Sequence, residues 1–511
     1  MALVAVTLTI GTSAAHAGGV TRSGDDAAVR PAGVAGVDNS HVIDANNIRM
    51  FVTNTGSFAW NKTTGSAGLE FPRGTGNTAV FAAGLWMGAR VGGTTRVVVS
   101  EYSDEYGPGA MVGTIADDPN RSEYRVYKLY RLYSTTFQRD AALADYNAGA
   151  VPHGAPAVTV QGDGSLSILG DQMLWAVYND ADPTHHTNRA GSTLPLGVEV
   201  RQTTFAFNRP GALGNTVFIS YKIVNKGGNT LDSTYVSLWS DPDDGSPVDD
   251  LVGCDTTLGV GFVYNSTNSD LVYGAQPPSV GYDFIHGPVT AGDTLGLTSF
   301  NKYTNGTDPD SFPKTYNLMK GLASDGSPRI NPMTGQPTTF MYSGDPVVGS
   351  GWLDSDPPQD VRMQLSSGPF TMMPGDTQTV LAAIVIGQGP DRLASISAMK
   401  YYDTQIQSAF DHGFTLAVPP PSSPARLTLA APRPNPTTSV LGLDFACARP
   451  GPARIEVFDV TGRRVFARDL GVLDVGPHHE SLDLSARSTG LYLVRVRQAD
   501  EVAQTRVLVM R

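Results

Sequence analysis

The sequence predicts a mostly β, multi-domain β-sandwich protein with a C-terminal immunoglobulin-like sandwich and one amphipathic helix packed on the central domain. The chain has 511 residues, which exceeds the about 100–200 residues of one ordinary domain. Charged residues make up only 16%, whereas there are 56 glycines and 35 prolines. This composition is typical of turn-rich β-structure and argues against helical bundles. From His41 onward, short apolar segments of strand length alternate with turn clusters.

The first 40 residues predict an export signal and a flexible segment. An apolar run at residues 2–10 precedes Ala15-His16-Ala17, and small residues at these positions fit a signal peptide of residues 1–17. No Lys or Arg precedes the run, which is atypical of such signals. Residues 18–40 are small and polar, so we expect a flexible mature N-terminus. No other segment reaches the about 20 apolar residues of a transmembrane helix, so no membrane span is expected.

Residues 41–197 predict an N-terminal β-rich region. Residues 79–87 read as a buried strand, and Val91-Gly92-Gly93-Thr94 predicts a hairpin turn into a second strand. A polar stretch at residues 137–147 has the length of a short helix, and residues 173–178 resume the strand pattern.

Residues 198–415 predict a central β-sandwich domain with an acidic loop. Four apolar side chains recur at alternating positions, which is the period of a strand with one buried face: Val217, Ile219, Tyr221 and Ile223. A turn at residues 225–229 leads into a strand at 235–239, and we expect the two strands to pair as a hairpin. Residues 369–387 add two strands around a turn at 374–376.

One segment of the central domain predicts a covering helix. Its apolar residues recur at steps of three and four and form one face: Leu393, Ile396, Met399, Tyr402, Ile406 and Phe410. Asp391 can cap its start and Gly413 its end. We expect this helix to pack on the edge of a sheet.

A proline-rich segment at residues 416–426 predicts a semi-rigid linker. Beyond it, residues 427–511 show strand alternation over the length of one immunoglobulin-like sandwich. Leu441, Leu443 and Phe445 alternate with small or polar residues, and a tight turn is predicted at Thr461-Gly462.

Four blocks stand out in this last segment: residues 434–438 (PNPTT), 457–465 (VFDVTGRRV), 476–478 (GPH) and 488–496 (STGLYLVRV). In order and spacing they resemble the C-terminal sorting domain of type IX secretion cargo, the Por secretion tail. This domain is related to the immunoglobulin-like repeat of FlgD-type proteins. The resemblance implies that secretion machinery in the outer membrane binds this domain and that the protein is secreted or held on the outer cell surface. It also implies that the domain is often removed once the passenger is anchored.

The region before the linker is similar to large secreted bacterial proteins that carry this tail. The similar stretches are residues 71–88, 240–288 and 367–387. This similarity implies a location outside the cell. It carries no information about an activity.

Charge and cysteine content restrict the classes of partner. The net charge of −12 leaves no basic footprint, so nucleic-acid binding is not expected. Cys254 and Cys447 lie in different predicted domains, and their spacing does not decide whether they form a disulfide. We favour two buried small apolar residues. Two cysteines are too few for a cysteine-rich zinc site.

An acidic loop is the sharpest local feature and predicts a structural calcium site. It carries six aspartates, whose mutual repulsion a hard divalent cation would relieve: Asp241, Asp243, Asp244, Asp249, Asp250 and Asp255. The spacing departs from an EF-hand, because Gly245 stands at the fifth position. A solvated acidic loop and a catalytic carboxylate pair remain open.

No enzyme is predicted, because the sequence has no G-x-S-x-G elbow, H-E-x-x-H or Walker loop. The favoured function is a secreted or cell-surface structural or adhesive protein stabilised by calcium. The alternative is a secreted hydrolase or glycan-binding protein acting on extracellular polysaccharide, and self-association is also open. A hydrolase needs two carboxyl groups about 5–10 Å apart in a cleft. Glycan binding would be favoured by an exposed row of the five tryptophans: Trp60, Trp86, Trp175, Trp239 and Trp352.

Overall fold

A computed structural model describes residues 39–414 and 427–510, except 431, 433–434, 448, 450, 474–475 and 499–500. The predicted signal peptide, nearly all of the predicted N-terminal segment 18–40 and the predicted linker 416–426 lie outside these residues. The chain divides into two compact units, Met1–Phe410 and Asp411–Arg511, and each is described by itself.

The described residues are mostly β. Three α-helices are present in them: α1 (Thr136–Gly149), α2 (Phe312–Met319) and α3 (Arg392–Asp411). The strands of the first unit are β1 (Ser40–Ile43), β2 (Arg49–Thr53), β3 (Ser57–Phe58), β4 (Trp60–Asn61), β5 (Ser66–Ala67), β6 (Leu69–Glu70), β7 (Thr78–Val80), β8 (Ala82–Val91), β9 (Thr94–Val98), β10 (Gly107–Pro108), β11 (Met111–Val112), β12 (Ile115–Ala116), β13 (Tyr127–Tyr130), β14 (Gln172–Asn179), β15 (Val198–Ala206), β16 (Thr216–Asn225), β17 (Leu231–Asp241), β18 (Asp250–Asp255), β19 (Val260–Asn265), β20 (Ser279–His286), β21 (Val289–Thr290), β22 (Asp293–Thr294), β23 (Ser299–Thr304), β24 (Arg329–Ile330), β25 (Pro337–Thr338), β26 (Val361–Met372) and β27 (Thr377–Gly387).

Two antiparallel sheets form the first unit. Sheet 1 has the order β23-β26-β17-β8-β3-β2-β6-β7, with β1 added beside β2 and β9 beside β8. Sheet 2 has the order β10-β14-β15-β16-β27-β20-β19-β18, with β13 beside β14. One apolar core draws residues from both sheets, such as Met87 and Leu238 from sheet 1 and Ile219 and Ile384 from sheet 2. The unit is therefore a large β-sandwich whose two sheets share an apolar core.

The strand pairing differs from the predicted hairpin. β16 and β17 both form as the alternation predicts, but they lie in different sheets. β16 pairs with β15 and β27, whereas β17 pairs with β8 and β26. The hairpin prediction is wrong because alternation reveals a buried face and carries no information about the partner strand.

The two predicted regions 41–197 and 198–415 also belong to one unit. β14 and β15 pair along their full length across the predicted boundary, from Gln172 with Ala206 to Asn179 with Glu199. β8 from the first region pairs with β17 from the second. A boundary at residue 198 would therefore cut through both sheets, and the sequence shows no linker composition there.

Several local predictions are confirmed. β8 and β9 form the predicted hairpin, in which Gly92 and Gly93 supply the positive φ angles of +55° and +82°. The short helix and the long amphipathic helix are α1 and α3. The carboxylate of Asp391 accepts hydrogen bonds from the backbone of Leu393 and Ala394 at the start of α3.

α3 covers the face of sheet 2 and not its edge. A Cβ atom on Gly387 of β27 would stand 2.1 Å from the backbone nitrogen of Met399, and one on Gly281 of β20 would stand 2.5 Å from the Met399 sulfur. β20 and β27 are neighbours inside the sheet, so the helix crosses its face at close approach.

The second unit is the predicted small sandwich. Its strands are β28 (Thr428–Leu429), β29 (Val440–Cys447), β30 (Gly451–Phe458), β31 (Arg464–Leu473), β32 (Gly476–Asp483), β33 (Gly490–Gln498) and β34 (Glu501–Val509). They form one sheet of order β28-β29-β32 and another of order β31-β30-β33-β34. Apolar residues of both sheets share one core, including Leu443 and Phe445 from the first and Val457, Val494 and Val507 from the second.

Candidate metal centre

Acidic residues from three segments meet at one end of sheet 1. β17 ends at Asp241, and its antiparallel neighbour β26 begins at Val361, with Ser240 opposite Met363. Asp360, just before β26, therefore lies at the same end of the sheet as Asp241. The backbone of Asp250, which opens β18 of sheet 2, bridges to that of Gln359. The topology thus brings two stretches more than 100 residues apart in sequence together.

Asp241, Asp243 and Asp360 form the tightest of these groupings. One carboxylate oxygen from each of the three lies within 4.8 Å of the others, and no other acidic, histidine or cysteine group in the described residues meets this criterion. Asp241 and Asp243 are buried and Asp360 is partly buried. Sequence reasoning missed Asp360, because an isolated Asp before a strand carries no signal of the loop that it joins.

The fully buried Arg362 lies beside this group. Its Nη1 is 2.5 Å from an oxygen of Asp360, and its Nε is 3.5 Å from Asp241 and 3.6 Å from Asp308. The Tyr102 hydroxyl donates to Asp241 and accepts from Arg362 Nη2 at 3.1 Å. Burial alone would lower the pKa of Arg362, but Asp241 and the neighbouring acidic groups outweigh it and raise that pKa above its ordinary value. Arg362 is thus a permanent positive charge among several carboxylates.

A second set of carboxylates adjoins the first on the same loop. Asp244 and Asp250 are fully buried, and the Asp244 backbone donates to Asp250 Oδ2 at 3.2 Å. Neither oxygen of the Asp244 side chain, nor Oδ1 of Asp250, receives a hydrogen bond from any residue that the structure describes. Burial, followed by repulsion from neighbouring aspartates, raises the pKa of both carboxyl groups well above the usual range.

Asp270, which the sequence did not single out, closes this second set. Its carboxylate accepts hydrogen bonds from the backbone of Ser246, Val272 and Tyr273. It lies so close to Gly245 that a Cβ atom there would stand 2.3 Å from Asp270 Oδ1. Gly245 also has a φ of +87°, so glycine is required at this turn on both grounds. Asp249, which is less buried, has a pKa raised by burial first and by Asp270 among other causes.

The structure separates Asp255 from the other predicted ligands. Asp250 and Asp255 stand at opposite ends of β18, and five steps along a strand span about 16 Å. Asp255 instead forms an ion pair of 2.8 Å with Lys400 of α3. The prediction that Asp255 shares one ion with the rest of the loop is therefore wrong, because the residues between them form a strand and not a loop.

The tryptophans do not form an exposed row. All five lie within the described residues, where Trp86, Trp175 and Trp239 are at most 2% exposed and Trp60 and Trp352 are partly buried. Trp86 and Trp239 stack on each other in a small aromatic core on sheet 1, with 6.0 Å between ring centroids. Trp86 and Trp239 therefore serve to pack this aromatic core.

A polar cleft of about 610 Å³ lies elsewhere on the first unit. Its lining includes the exposed residues Arg73, Tyr130 and Arg209 and the partly buried Arg131. The two aspartates at this cleft are already neutralised, Asp44 by Lys128 at 2.9 Å and Asp171 by Arg131 at 3.2 Å.

The C-terminal part of the chain matches a known domain family. Residues 433–510 match the secretion system C-terminal sorting domain, which confirms the predicted tail. The protein is accordingly directed to the cell surface or the extracellular space through type IX secretion. None of the helices in the described residues is both long and apolar enough to span a membrane. No curated protein matches the chain.

Two solved structures show distant similarity. A polysaccharide lyase is 8% identical with a TM-score of 0.19, and the match covers 61% of this chain and 34% of the lyase. PorZ, an essential surface component of the type IX secretion system of Porphyromonas gingivalis, is 11% identical with a TM-score of 0.12, and the match covers 93% of this chain and 59% of PorZ. The chain thus spans about a third of the first protein and under two thirds of the second, and neither similarity is close enough to indicate a shared fold.

Proposed function

We propose that the first unit is the passenger of type IX secretion and acts outside the cell as a structural or adhesive protein, not as an enzyme. The observation that carries the proposal is the sorting domain at residues 433–510. The passenger that it accompanies is a sandwich whose two sheets share a large apolar core. Such a rigid body suits a load-bearing or adhesive role.

The placement of the carboxylates supports a role without catalysis. Asp241, Asp244 and Asp250 are each fully buried at the end of the sandwich. A glycosidase needs its two carboxyl groups at an open cleft that admits a sugar ring and, in inverting enzymes, a water molecule. The buried group is better suited to holding strands together than to contacting a polymer.

Deletion of the tail tests the export part of the proposal. In a host with type IX secretion, we expect the full chain in the surface or medium fraction and a variant ending at residue 426 inside the cell. Peptide mass spectrometry of the exported form would show whether the tail is removed. A full-length Gly228→Ala variant, which changes an open position in the first unit, is the matched control. Surface delivery without the tail would contradict the proposal.

Assays of cell attachment and hydrolysis separate the structural role from the enzymatic alternative. We expect cells that lack the protein to attach or aggregate less, and purified protein to release no reducing ends from a panel of extracellular polysaccharides. Polysaccharide cleavage that is lost in an Asp241→Asn variant would instead support the hydrolase.

The polar cleft favours a second candidate, the binding of acidic polysaccharide. Its arginines can neutralise uronate carboxylates and Tyr130 can stack on a sugar ring. We expect Arg209→Ala to weaken binding of a polyuronate by about tenfold in calorimetry, as the loss of one charge-assisted contact predicts. Arg90→Ala, at an exposed arginine outside the cleft, is the control. Equal affinity of both variants would exclude the cleft.

A further inference from the structure

We infer that Asp241, Asp243 and Asp360 bind one divalent cation with the chemistry of calcium, and that this ion ties the loop after β17 to the start of β26. The inference goes beyond the proposed export and surface role and does not depend on it. It retains two residues of the sequence-predicted loop as ligands, adds Asp360 and removes Asp255.

The spacing of the three carboxylates fits one ion. Calcium holds its oxygen ligands at about 2.3–2.6 Å, so two ligands of the same ion are at most about 5 Å apart. One oxygen from each of Asp241, Asp243 and Asp360 already lies within 4.8 Å of the other two. The side chains therefore need little rearrangement to share an ion.

Several carboxylates share the space around the fully buried Arg362. Asp241, Asp360 and Asp308 all face the guanidinium of Arg362, which supplies one positive charge. Asp243 adds a further carboxylate to the cluster. Buried like charges at this separation repel strongly, because the interior screens them less than water does. A divalent cation placed between these carboxylates would offset their mutual repulsion.

A second, independent observation points to a cation at the same end of the sandwich. Asp244 and Asp250 have no ion pair, and Asp244 Oδ1 and Oδ2 and Asp250 Oδ1 accept no hydrogen bond, within the part of the chain that the structure describes. Both side chains are fully buried, and the Asp250 backbone bridges to the residue before Asp360. A buried carboxylate oxygen without a donor costs the protein its full desolvation penalty. These oxygens are available to the same ion or to a second one beside it.

The donor set selects calcium. The three closest side chains offer oxygen alone, with no histidine or cysteine in the group, and such hard donors disfavour zinc and copper. Calcium accepts 6–8 oxygens in irregular arrangements, including backbone carbonyls and water, whereas magnesium demands a near-ideal octahedron. The turn-rich loop of residues 242–249 supplies the irregular surroundings that calcium tolerates.

Calcium titration of the full-length protein, freed of metal with a chelator, tests the inference. We expect the melting temperature to rise by several degrees in calcium chloride, and to rise much less in magnesium chloride or in sodium chloride at matched ionic strength. An unchanged melting temperature in calcium, or an equal rise in either of the other two salts, would overturn the calcium site.

Two Asp→Asn variants locate the site. We expect Asp243→Asn and Asp360→Asn to weaken calcium binding at least tenfold in calorimetry. Asp293→Asn, which lies on the exposed hairpin strand β22, should bind as the wild type does. Wild-type affinity in both cluster variants would overturn the assignment of these ligands.

The melting behaviour of Asp243→Asn separates a ligand from a residue that only supports the fold. Relative to its own melting temperature in chelator, we expect the variant to gain much less in calcium than the wild type gains. It should melt lower than the wild type in calcium, since the wild type alone gains the full stabilisation. A variant that melts lower by the same amount in both conditions would show a structural residue and overturn the inference.

Discussion

The buried indole of Trp239 in the first unit depends on one neighbouring side chain for its hydrogen bond. Its indole Nε1 donates a 2.6 Å hydrogen bond to the Tyr303 hydroxyl inside the aromatic core on sheet 1. Replacing Tyr303 by Phe leaves this buried donor unpaired, which we expect to cost about 1–3 kcal/mol of the free energy of unfolding. Urea denaturation measures the loss. Tyr401→Phe, at a tyrosine that is 60% exposed, should change stability little; equal losses in the two variants would refute the role of this contact.

Asp403 makes the stability of the first unit depend on pH. It lies on the buried face of α3, where burial, followed by the charge of Asp255, raises its pKa from 3.8 to about 7. Asp283 on β20 is the acid that faces it, and Lys400 neutralises Asp255. A carboxyl group with a raised pKa in the folded state stabilises below its unfolded pKa, and that stability is lost as pH rises toward the folded value.

We therefore expect the wild type to lose stability between about pH 4 and pH 7, by up to about 4 kcal/mol from this carboxyl group. An Asp403→Asn variant cannot ionise at this position, so its unfolding free energy should fall less over the same range. Asp411→Asn, at an exposed residue of the same helix, should follow the wild-type profile. Identical pH profiles for Asp403→Asn and wild type would contradict the prediction.

At the level of elements, close backbone approach fixes the position of β8. A Cβ atom on Gly84 would stand 1.9 Å from the carbonyl oxygen of Ser100, which also accepts a 3.0 Å hydrogen bond from Trp86 Nε1. Gly84→Ala must push this segment away from the strand, and we expect a loss of about 3 kcal/mol or more. Gly228→Ala, where a Cβ meets no atom within 4 Å, is the matched control. Equal melting temperatures for the two variants would refute the argument.

The sequence predicted elements better than it predicted their partners. Alternation at Val217 to Ile223 located β16, and the apolar spacing from Leu393 onward located α3. Neither pattern shows which strand lies alongside, because alternation depends only on which face is buried. β16 and β17 therefore read as a hairpin although they belong to opposite sheets. The same limit applies to the candidate site, where the loop at Asp241 was visible and Asp360 was not.

At the level of the whole molecule, the proline-rich segment predicts a division of the chain shortly after the one that the structure shows between Phe410 and Asp411, whereas the predicted boundary at residue 198 falls inside a single unit. The first is marked by a run of prolines, which cannot join a strand ladder. The second was inferred from where strand patterns resumed, yet β14 and β15 pair directly across it. A sandwich whose sheets mix early and late strands has no position at which composition changes, so its extent is visible only in three dimensions.

Each unit carries one buried free cysteine, so the chain contains its own reporters of unfolding. Cys254 lies in β18 of the first unit and Cys447 in β29 of the second, and burial raises the pKa of both thiols. A buried thiol reacts with iodoacetamide only when its unit opens. We expect pulse labelling along a urea gradient, read by peptide mass spectrometry, to show two separate midpoints. Because the second unit is much smaller and buries a smaller fraction of its surface, Cys447 should be labelled at the lower urea concentration.

Calcium should affect the labelling midpoints of the two cysteines differently. If the cation site lies at the end of sheet 1, adding calcium to the chelated protein should move the Cys254 midpoint to higher urea and leave the Cys447 midpoint unchanged. A Cys447→Ser variant should keep the Cys254 midpoint, which controls for any influence of one label on the other. A single common midpoint for both thiols would contradict the division into two units, and an equal calcium shift at both would show that the ion acts on the whole chain and not on one end of the larger sandwich.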